Sequence, residues 1–224
     1  MDEVTTKKTQ LSYDRLADEY VRRIYEELQH KPLDRQLLDQ FSARVRGNGL
    51  VCDLGCGPGH VARYLREQGA QIFGIDLSPE LVQRARRLNP GIEFQQGNIF
   101  ALDAPEAAWA GIVAFYSIIH VPRPDHMVVF SEMRRVLQPG GLLLLAFHVG
   151  DEIVHFDSLW DQTVSIDFHF FRSDEVADSL RSAGFTVEEI VERDPYAEIE
   201  AQTRRGYILA RRNGAAYRQV AGSE

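Results

Sequence analysis

A short apolar strand that runs into a glycine-rich loop constrains this chain more than any other part of its sequence. Residues 50–54 are apolar except for Asp53, which is typical of a buried parallel strand that ends at a functional site. Three glycines follow within residues 55–59, and glycine permits positive φ angles and a close approach of a ligand to the backbone. Apolar residues then recur at helical spacing from Val61, so the loop leads into a helix N-terminus with free N–H groups. This pattern predicts a ligand-binding turn in an α/β fold.

The spacing of the glycines discriminates between classes of ligand. A dinucleotide-binding loop has the spacing Gly-x-Gly-x-x-Gly, which cradles a pyrophosphate. In this chain His60 occupies the place of the third glycine, and Gly59 comes one residue early. Asp53 lies two residues before the first glycine, where its carboxylate can receive a cationic amine. The loop therefore favours a ligand with a positively charged group over a dinucleotide.

Four segments carry a resemblance to one enzyme family. Residues 53–59, Asp-Leu-Gly-Cys-Gly-Pro-Gly, resemble motif I of the class I S-adenosylmethionine-dependent methyltransferases. Residues 13–20 resemble the Tyr-Asp-x-x-Ala-x-x-Tyr entry helix of small-molecule methyltransferases. Residues 117–121 resemble the Ser-x-x-His-(Val/His) segment of the ubiquinone- and menaquinone-biosynthesis-like (type 11) group, and residues 137–141, Leu-Gln-Pro-Gly-Gly, match a further family motif. The resemblance extends over roughly residues 11–148.

The order of the predicted elements indicates a doubly wound α/β domain. Strands and helices alternate from residue 49 onward, which is typical of a parallel sheet with its ligand site at the carboxyl ends of the strands. The resemblance implies a Rossmann-like seven-stranded sheet with the last strand antiparallel, two N-terminal helices and an insert after the fifth strand. The strands are predicted at residues 50–54, 71–76, 92–96, 111–116, 142–147, 186–191 and 205–210.

We expect a single domain, because 224 residues suit one hydrophobic core. The principal helices are predicted at residues 10–29, 33–45, 79–88, 124–137 and 173–183, with a type II turn at 137–141. Residues 149–171 are expected to lack regular structure, and residues 192–203 to be exposed. The expected segments are N-terminal helices covering the cofactor (1–48), a cofactor-binding core (49–148), an acceptor lid (149–171), a C-terminal helix and strand hairpin (172–212) and a loose tail (213–224).

Asp76 is the principal candidate for holding the cofactor. It ends the second predicted strand beside the glycine loop, where a carboxylate can accept both hydroxyls of a ribose. Asn98 stands where the family usually has an acid near the adenine amine, and it keeps a side-chain oxygen without the charge. Tyr13 and Tyr20 either close over the cofactor, as the resemblance implies, or pack on a helix seam. The cofactor-binding residues implied are Tyr13, Tyr20, Asp53, Gly55, Cys56, Gly57, Gly59, His60, Asp76, Leu77, Asn98, Ile99, Phe115 and Tyr116.

Three histidines are candidates for catalysis. His120 follows the fourth predicted strand, where the methyl group of the cofactor should point, and His148 and His169 are further candidates. The alternative for each is a hydrogen-bonded structural histidine. Methyl transfer by displacement needs alignment more than acid or base groups, and a base is required only for an acceptor with a high pKa, such as a phenol.

The segment 149–171 is predicted to form the lid of the acceptor site. It is longer than such a connection requires, and long ordered loops tend to be functional. Phe156, Trp160 and Phe170 are expected to supply an apolar wall. Its five acids and no bases are expected to repel phosphates and to favour an uncharged or cationic acceptor. A solvated connector is the alternative interpretation. The acids are Asp151, Glu152, Asp157, Asp161 and Asp167.

The resemblance implies S-adenosylmethionine as the cofactor, S-adenosylhomocysteine as the product and a small organic molecule as the acceptor. Two other classes remain open: a nicotinamide-dependent oxidoreductase on a similar fold, and a non-catalytic S-adenosylmethionine-binding module. The segment after the fourth strand lacks the Asn-Pro-Pro-Tyr or Asp-Pro-Pro-Tyr tetrapeptide of enzymes that methylate DNA amines or glutamine amides, and the Pro-Cys nucleophile of cytosine C5 enzymes is absent as well. The sequence leaves the acceptor and the oligomeric state undetermined.

Charge and composition exclude several further classes of partner. The net charge is −8, and residues 151–224 carry fifteen acids against eight bases, whereas a nucleic-acid surface needs a basic footprint. No apolar run approaches the ~20 residues that a bilayer requires, and the N-terminus lacks the apolar core of a signal peptide. The two cysteines, Cys52 and Cys56, lack partners for a zinc site. We therefore expect a cytoplasmic protein without a metal, a membrane or a nucleic acid as partner.

Overall fold

The computed structural model of this protein describes residues 2–214. Two helices come first: α1 (Glu3–Ile24) and α2 (Pro32–Val45), joined by a 3₁₀ turn at Glu27–His30. Asp2 caps α1 by accepting the N–H of Thr5 at 2.7 Å, which lets the helix begin earlier than the apolar periodicity predicts. The predicted helix at 10–29 therefore lies partly in α1 and partly in the 3₁₀ turn.

The central part of the chain alternates between strands and helices, as predicted. Ser78 caps α4 by accepting the N–H of Leu81 at 3.1 Å, with a proline at the first helical position. The elements are β1 (Leu50–Leu54), α3 (His60–Glu67), β2 (Gln71–Asp76), α4 (Pro79–Leu88), β3 (Glu93–Gln96), β4 (Trp109–Phe115), α5 (His126–Val136) and β5 (Leu137–His148).

The C-terminal part adds a hairpin, a helix and two long strands. These are β6 (Ile153–Leu159), β7 (Gln162–His169), α6 (Ser173–Ser182), β8 (Phe185–Arg193) and β9 (Arg205–Arg212). The loose tail predicted at 213–224 falls almost entirely on residues 215–224, which lie outside the described residues.

The predicted seven-stranded Rossmann-like sheet is confirmed. Its strand order is β3-β2-β1-β4-β5-β9-β8, and β9 runs antiparallel to both β5 and β8. The parallel strands β1 and β4 are neighbours although they are distant in the chain, so the order reverses between them. In doubly wound sheets this switch point opens a crevice at the carboxyl ends of the strands, where ligands bind.

Apolar side chains cover both faces of the sheet. On β5, Leu143 and Leu145 pack against α5 and α6, whereas Leu142 and Leu144 pack on the side of α2, α3 and α4. The strand is therefore apolar at consecutive positions, as expected when helices bury both faces. Gly111 of β4 lets α2 approach closely, because a Cβ there would lie 2.7 Å from Cζ of Phe41.

The expectation that residues 149–171 lack regular structure is wrong. β6 and β7 form a separate antiparallel hairpin, and its residues Val164 and Ile166 pack on Leu16 of α1. The two residues between the strands, Trp160 and Asp161, both have positive φ angles, 51° and 61°. Two-residue turns of this kind usually contain Asn-Gly or Asp-Gly. The sequence Trp-Asp lacks this signal, so the hairpin was not predicted.

The predicted turn at residues 137–141 is incorporated into β5 rather than preceding it. Gly140 has a φ angle of 80°, which agrees with a type II turn. The pairing of β4 with β5 jumps from Trp109–Leu137 to Gly111–Leu142, so the turn residues bulge out of the ladder.

Candidate active site

The glycine loop and the end of β2 are joined through Asp76. The Asp76 carboxylate accepts the N–H of Gly57 at one oxygen and the N–H of Ser78 at the other, each at 2.8 Å. Burial raises the pKa of Asp76 to about 6, against the opposing effect of these hydrogen bonds. Each oxygen accepts one N–H bond, so lone pairs remain for a ligand.

The first cavity lies at the carboxyl ends of β1, β2 and β4, and we call it the cofactor cavity. Ten of the predicted cofactor residues line it, together with His120. Tyr20 covers the glycine loop, since a Cβ at Gly57 would lie 3.3 Å from Cε1 of its ring. Tyr13 and Tyr20 also pack edge to face, with ring centroids 5.7 Å apart, as the helix-seam alternative expects, and their closure over the cofactor stays a prediction. The ten are Tyr13, Tyr20, Gly55, Gly57, Asp76, Leu77, Asn98, Ile99, Phe115 and Tyr116.

Four predicted cofactor residues support the loop from outside this cavity. Asp53 accepts the N–H of Ala62 at 3.0 Å and so stabilises the start of α3. Burial raises the pKa of Asp53 to about 8. His60 begins α3, with Nε2 3.4 Å from Oε1 of Glu27. Cys56 is buried, and Gly59 has a φ angle of 81°.

A second and larger cavity, of about 810 Å³, adjoins the first, and we call it the acceptor cavity. The predicted wall residues Phe156, Trp160 and Phe170 all line it. Its other walls include residues of α1, the segment before α2, the ends of β4 and β5, and the segment 197–205. Residues 192–203 are exposed or half-buried, in agreement with the predicted linker, but the Glu200 side chain is an exception with an exposure of only 4%.

Buried charges that sequence reasoning missed stand in the wall of the acceptor cavity. Nζ of Lys31 lies 2.8 Å from Oε2 of Glu27 and 3.2 Å from Oε2 of Glu200. Burial would raise the pKa of Glu200, but hydrogen bonds from Arg193 and a backbone N–H, with the charges of Lys31 and Arg205, hold it at about 2. These residues lie far apart in the chain and share no motif, so no local signal identified them.

The three candidate histidines have different surroundings. His120 lines the cofactor cavity, with Nε2 2.7 Å from the Tyr13 hydroxyl and Nδ1 3.1 Å from the carbonyl oxygen of Asp167. His148 lines the acceptor cavity, and burial and the neighbouring Arg205 charge lower its pKa to about 3. His169 lines neither of these two cavities and stacks on Phe171 with ring centroids 6.2 Å apart. The structure thus brings His120 and His148 to the site and leaves His169 outside it.

The five acids of residues 149–171 line neither cavity. Four of them are exposed and Asp167 is half-buried; Asp157, for example, has a side-chain exposure of 93%. Because exposed carboxylates are screened by water and salt, these acids give little support to the expected preference for an uncharged or cationic acceptor, which stays a prediction.

The two cavities meet at three tyrosines. Tyr13, Tyr20 and Tyr116 line both of them. Tyr116 follows β4 with a φ angle of 55°, which is uncommon for a residue with a large side chain, and its N–H donates to the carbonyl of Ala146 at 2.8 Å. The unusual backbone conformation of Tyr116 therefore lies at the boundary between the two cavities. A group in one cavity can therefore contact a group in the other only past these rings.

Comparisons with known proteins agree with this geometry. Residues 51–141 match the profile of a family described as "Methyltransferase domain". This part of the chain is therefore similar to a methyltransferase domain, and the comparisons support a class I methyltransferase. S-adenosylmethionine is the cofactor of this domain, as the resemblance implied.

Two relatives of the methyltransferase domain illustrate its range. A malonyl-[acyl-carrier protein] O-methyltransferase of Enterobacter lignolyticus is 30% identical over 59% of this chain and 53% of its own length. A trans-aconitate 2-methyltransferase of Azoarcus sp. is 33% identical over 59% of this chain and 47% of its own. The chain thus spans about half the length of these relatives. Among solved structures, the DhpI–SAH complex is similar over 96% of this chain and 100% of its own, with a TM-score of 0.72 and 22% identity, which shows the shared fold.

The cofactor cavity fits S-adenosylmethionine. Asp76 presents a buried carboxylate in this cavity, held by the N–H groups of Gly57 and Ser78. Asp76 would hold the ribose, and Asn98 and Ile99 would border the adenine. When bound, the cofactor supplies a methyl group on a positively charged sulfur.

Metal ions and membranes are two other kinds of partner. Within residues 2–214, no group of three or more His, Cys, Asp or Glu side chains is arranged to hold a metal ion. In the same part of the chain, no helix has the length and apolar character that crossing a bilayer demands.

Proposed function

We propose that this protein transfers the methyl group of S-adenosylmethionine to a small organic molecule held in the acceptor cavity. The observation that carries the proposal is the shared boundary of the two cavities at Tyr13, Tyr20 and Tyr116. A donor in the first cavity and an acceptor in the second would meet across this boundary, and such alignment supplies much of the rate of a displacement.

The dimensions and walls of the acceptor cavity support a small-molecule acceptor. Its volume of about 810 Å³ is within the range of ligand pockets, and several aromatic rings line it. Trans-aconitate, which one relative is named for, is a molecule of this size class. The acidic C-terminal third of the chain disfavours a nucleic acid.

Calorimetric titration tests the cofactor half of the proposal. We expect S-adenosylhomocysteine to bind and NADH not to bind. Asp76→Asn should weaken binding, whereas Asp103→Asn, an exposed acid outside both cavities, should leave it unchanged. Binding of NADH without S-adenosylhomocysteine would revive the oxidoreductase alternative.

Mass spectrometry tests the transfer itself. Cell extract incubated with the protein and S-adenosylmethionine carrying a deuterated methyl group should yield a labelled small molecule. Protein with Asp76→Asn serves as the control and should yield little. Tight binding of S-adenosylhomocysteine together with no labelled product would favour the non-catalytic binding module.

A further inference from the structure

We propose that the methyl acceptor is a phenol, and that its proton leaves through Tyr13 to His120. This inference rests on the proposed methyl transfer and names the class of acceptor for it. Three observations carry it: the direction of the hydrogen bonds at His120, the position of Tyr13 between the two cavities, and the aromatic lining of the acceptor cavity.

The hydrogen bonds fix the protonation of His120. A backbone carbonyl can only accept a hydrogen bond, so Nδ1 of His120 carries the proton that points at the oxygen of Asp167, 3.1 Å away. Burial lowers the pKa of His120 to about 4, so the ring is neutral at pH 7. Nε2 then carries no proton and can only accept a hydrogen bond, so the Tyr13 hydroxyl at 2.7 Å must be the donor. His120 is thus poised to receive a proton from Tyr13.

Tyr13 links this histidine to the acceptor cavity. His120 lines only the cofactor cavity, whereas Tyr13 lines both. Within residues 2–214 the Tyr13 oxygen makes no hydrogen bond other than the one to His120, so its lone pairs remain free to accept. An acceptor hydroxyl can therefore donate to Tyr13, although it does not reach His120 directly.

The cavity walls and the presence of a proton relay favour a phenol among hydroxyl compounds. Phe156, Trp160, Phe168 and Phe170 line the acceptor cavity together with the three boundary tyrosines, and rings of this kind favour a flat aromatic body. A phenol has a pKa of about 10, like a tyrosine side chain, and a histidine relay can assist its ionisation. A carboxylate acceptor would already be ionised and would have no use for the relay.

The proton and electron movements balance. As the phenol O–H bond breaks, its proton passes to the Tyr13 oxygen and the Tyr13 proton passes to Nε2 of His120. The phenol oxygen keeps the bonding pair and uses it to bond the methyl carbon, and the pair of the broken carbon–sulfur bond stays on sulfur. One positive charge is lost at sulfur and one appears on His120, so the net charge of the buried site does not change. The cost of charging a buried histidine is therefore offset within the same step.

Binding of matched naphthalene probes to protein loaded with S-adenosylhomocysteine provides the first test. We expect calorimetry to show 2-naphthol binding about tenfold more tightly than 2-methoxynaphthalene, as one added hydrogen bond allows. Tyr13→Phe should abolish that difference. Tyr25→Phe is the matched control, because the Tyr25 hydroxyl bonds Asn89 at 2.8 Å outside both cavities, and it should keep the difference.

Turnover with S-adenosylmethionine provides the second test. Wild-type protein should convert 2-naphthol to 2-methoxynaphthalene and leave 2-naphthoate unchanged. His120→Gln can still accept from Tyr13 but cannot take a proton, so kcat should fall about 100-fold or more while the KM for 2-naphthol stays within about threefold. Tyr13→Phe should lower kcat similarly.

The outcomes separate this inference from the proposed function. Failure to bind S-adenosylhomocysteine would overturn the methyltransferase proposal itself. If S-adenosylhomocysteine binds, then no transfer to 2-naphthol, transfer to 2-naphthoate at a comparable rate, or an unchanged kcat in His120→Gln would overturn the relay alone.

Discussion

At the scale of single residues, the charge of Asp76 should govern cofactor affinity. Its pKa of about 6, raised by burial, lies within an accessible range, and only the ionised form offers all its lone pairs to ribose hydroxyls. Binding should lower this pKa, so the affinity for S-adenosylhomocysteine is full above pH 6 and falls by up to about tenfold per pH unit below it. Calorimetry at pH 7.5 and pH 5.5 measures the change.

Asp76→Asn is the control for this prediction. It should bind S-adenosylhomocysteine about 1–3 kcal/mol more weakly than wild type at pH 7.5, because charge-assisted hydrogen bonds are lost. Its affinity should be the same at both pH values. A pH dependence that survives in Asp76→Asn would assign the titration to another group.

Gly57 and Gly140 permit a comparison between backbone strain and crowding. Both have positive φ angles, 52° and 80°, so alanine should destabilise the protein by about 1–2 kcal/mol at either position. A Cβ at Gly57 points toward the ring of Tyr20, whereas a Cβ at Gly140 meets nothing within 4 Å. We expect Gly57→Ala alone to lose affinity for S-adenosylhomocysteine. Equal affinities of the two variants, compared by calorimetry after urea unfolding has matched their stabilities, would contradict a role of Gly57 in the cavity.

At the scale of elements, α1 and the β6–β7 hairpin form a two-part cover. Ser12 accepts the N–H of Ser165 at 3.0 Å, and Arg15 donates to the carbonyl of Thr163 at 3.2 Å. His120 joins the two parts, because it contacts Tyr13 of α1 and the backbone of Asp167 in the hairpin. Tyr13 and Tyr20 on one part and Phe156 and Trp160 on the other line the acceptor cavity. The cover is therefore built from segments that lie far apart in the sequence; Ser12 and Ser165, for example, are 153 residues apart.

The contact between α1 and the hairpin depends on Ile166. It is 1% exposed and packs with Leu16, so Ile166→Ala should lower the free energy of unfolding by about 2–4 kcal/mol or release the hairpin locally. Ile153→Ala is the control, since Ile153 lies on the same hairpin with 58% exposure. Hydrogen exchange should quicken in residues 153–169 and in α1 only for Ile166→Ala. Equal protection in both variants would show that polar contacts alone hold the hairpin.

At the scale of the whole molecule, a fall in pH changes the free energy of unfolding in opposite directions through buried histidines and through buried acids. The pKa of His126 is lowered by burial to about 4, so its contribution to stability is full above about pH 6.5 and is lost as pH falls toward 4. The pKa of Asp53 is raised by burial to about 8, so the folded state gains stability as pH falls from 8 toward 4. Each effect amounts to about 1.4 kcal/mol per pH unit at most.

Two variants separate these contributions. Relative to wild type, His126→Leu should lose less stability between pH 7 and pH 5, and Asp53→Asn should lose more. Urea unfolding at the two pH values measures both slopes. A change of slope in the same direction for both variants would contradict the assignment of buried, neutral states to these groups.

The sequence by itself determined the features that are local in the chain. The strand, glycine loop and helix of residues 50–67 are encoded by consecutive residues, and so are the cap of α4 and the acid at the end of β2. Parallel strands bring their carboxyl ends to one edge whatever the rest of the chain does, so the place of the cofactor cavity could be predicted, whereas Tyr13, Tyr20 and Asn98 were implied by the family resemblance. The seven-stranded sheet follows from the same alternation together with the family resemblance.

The tertiary structure decided everything that depends on contacts between distant residues. The acceptor cavity takes Lys31 from one end of the chain and Glu200 and Arg205 from the other. Tyr13 and His120 are 107 residues apart, and only their approach to 2.7 Å fixes the direction of the proton. The sequence placed acids on the hairpin, but only packing against α1 determined that they face away from the cavities. Side-chain orientation is set by the partner surface that each element buries, and no local pattern of residues contains that surface.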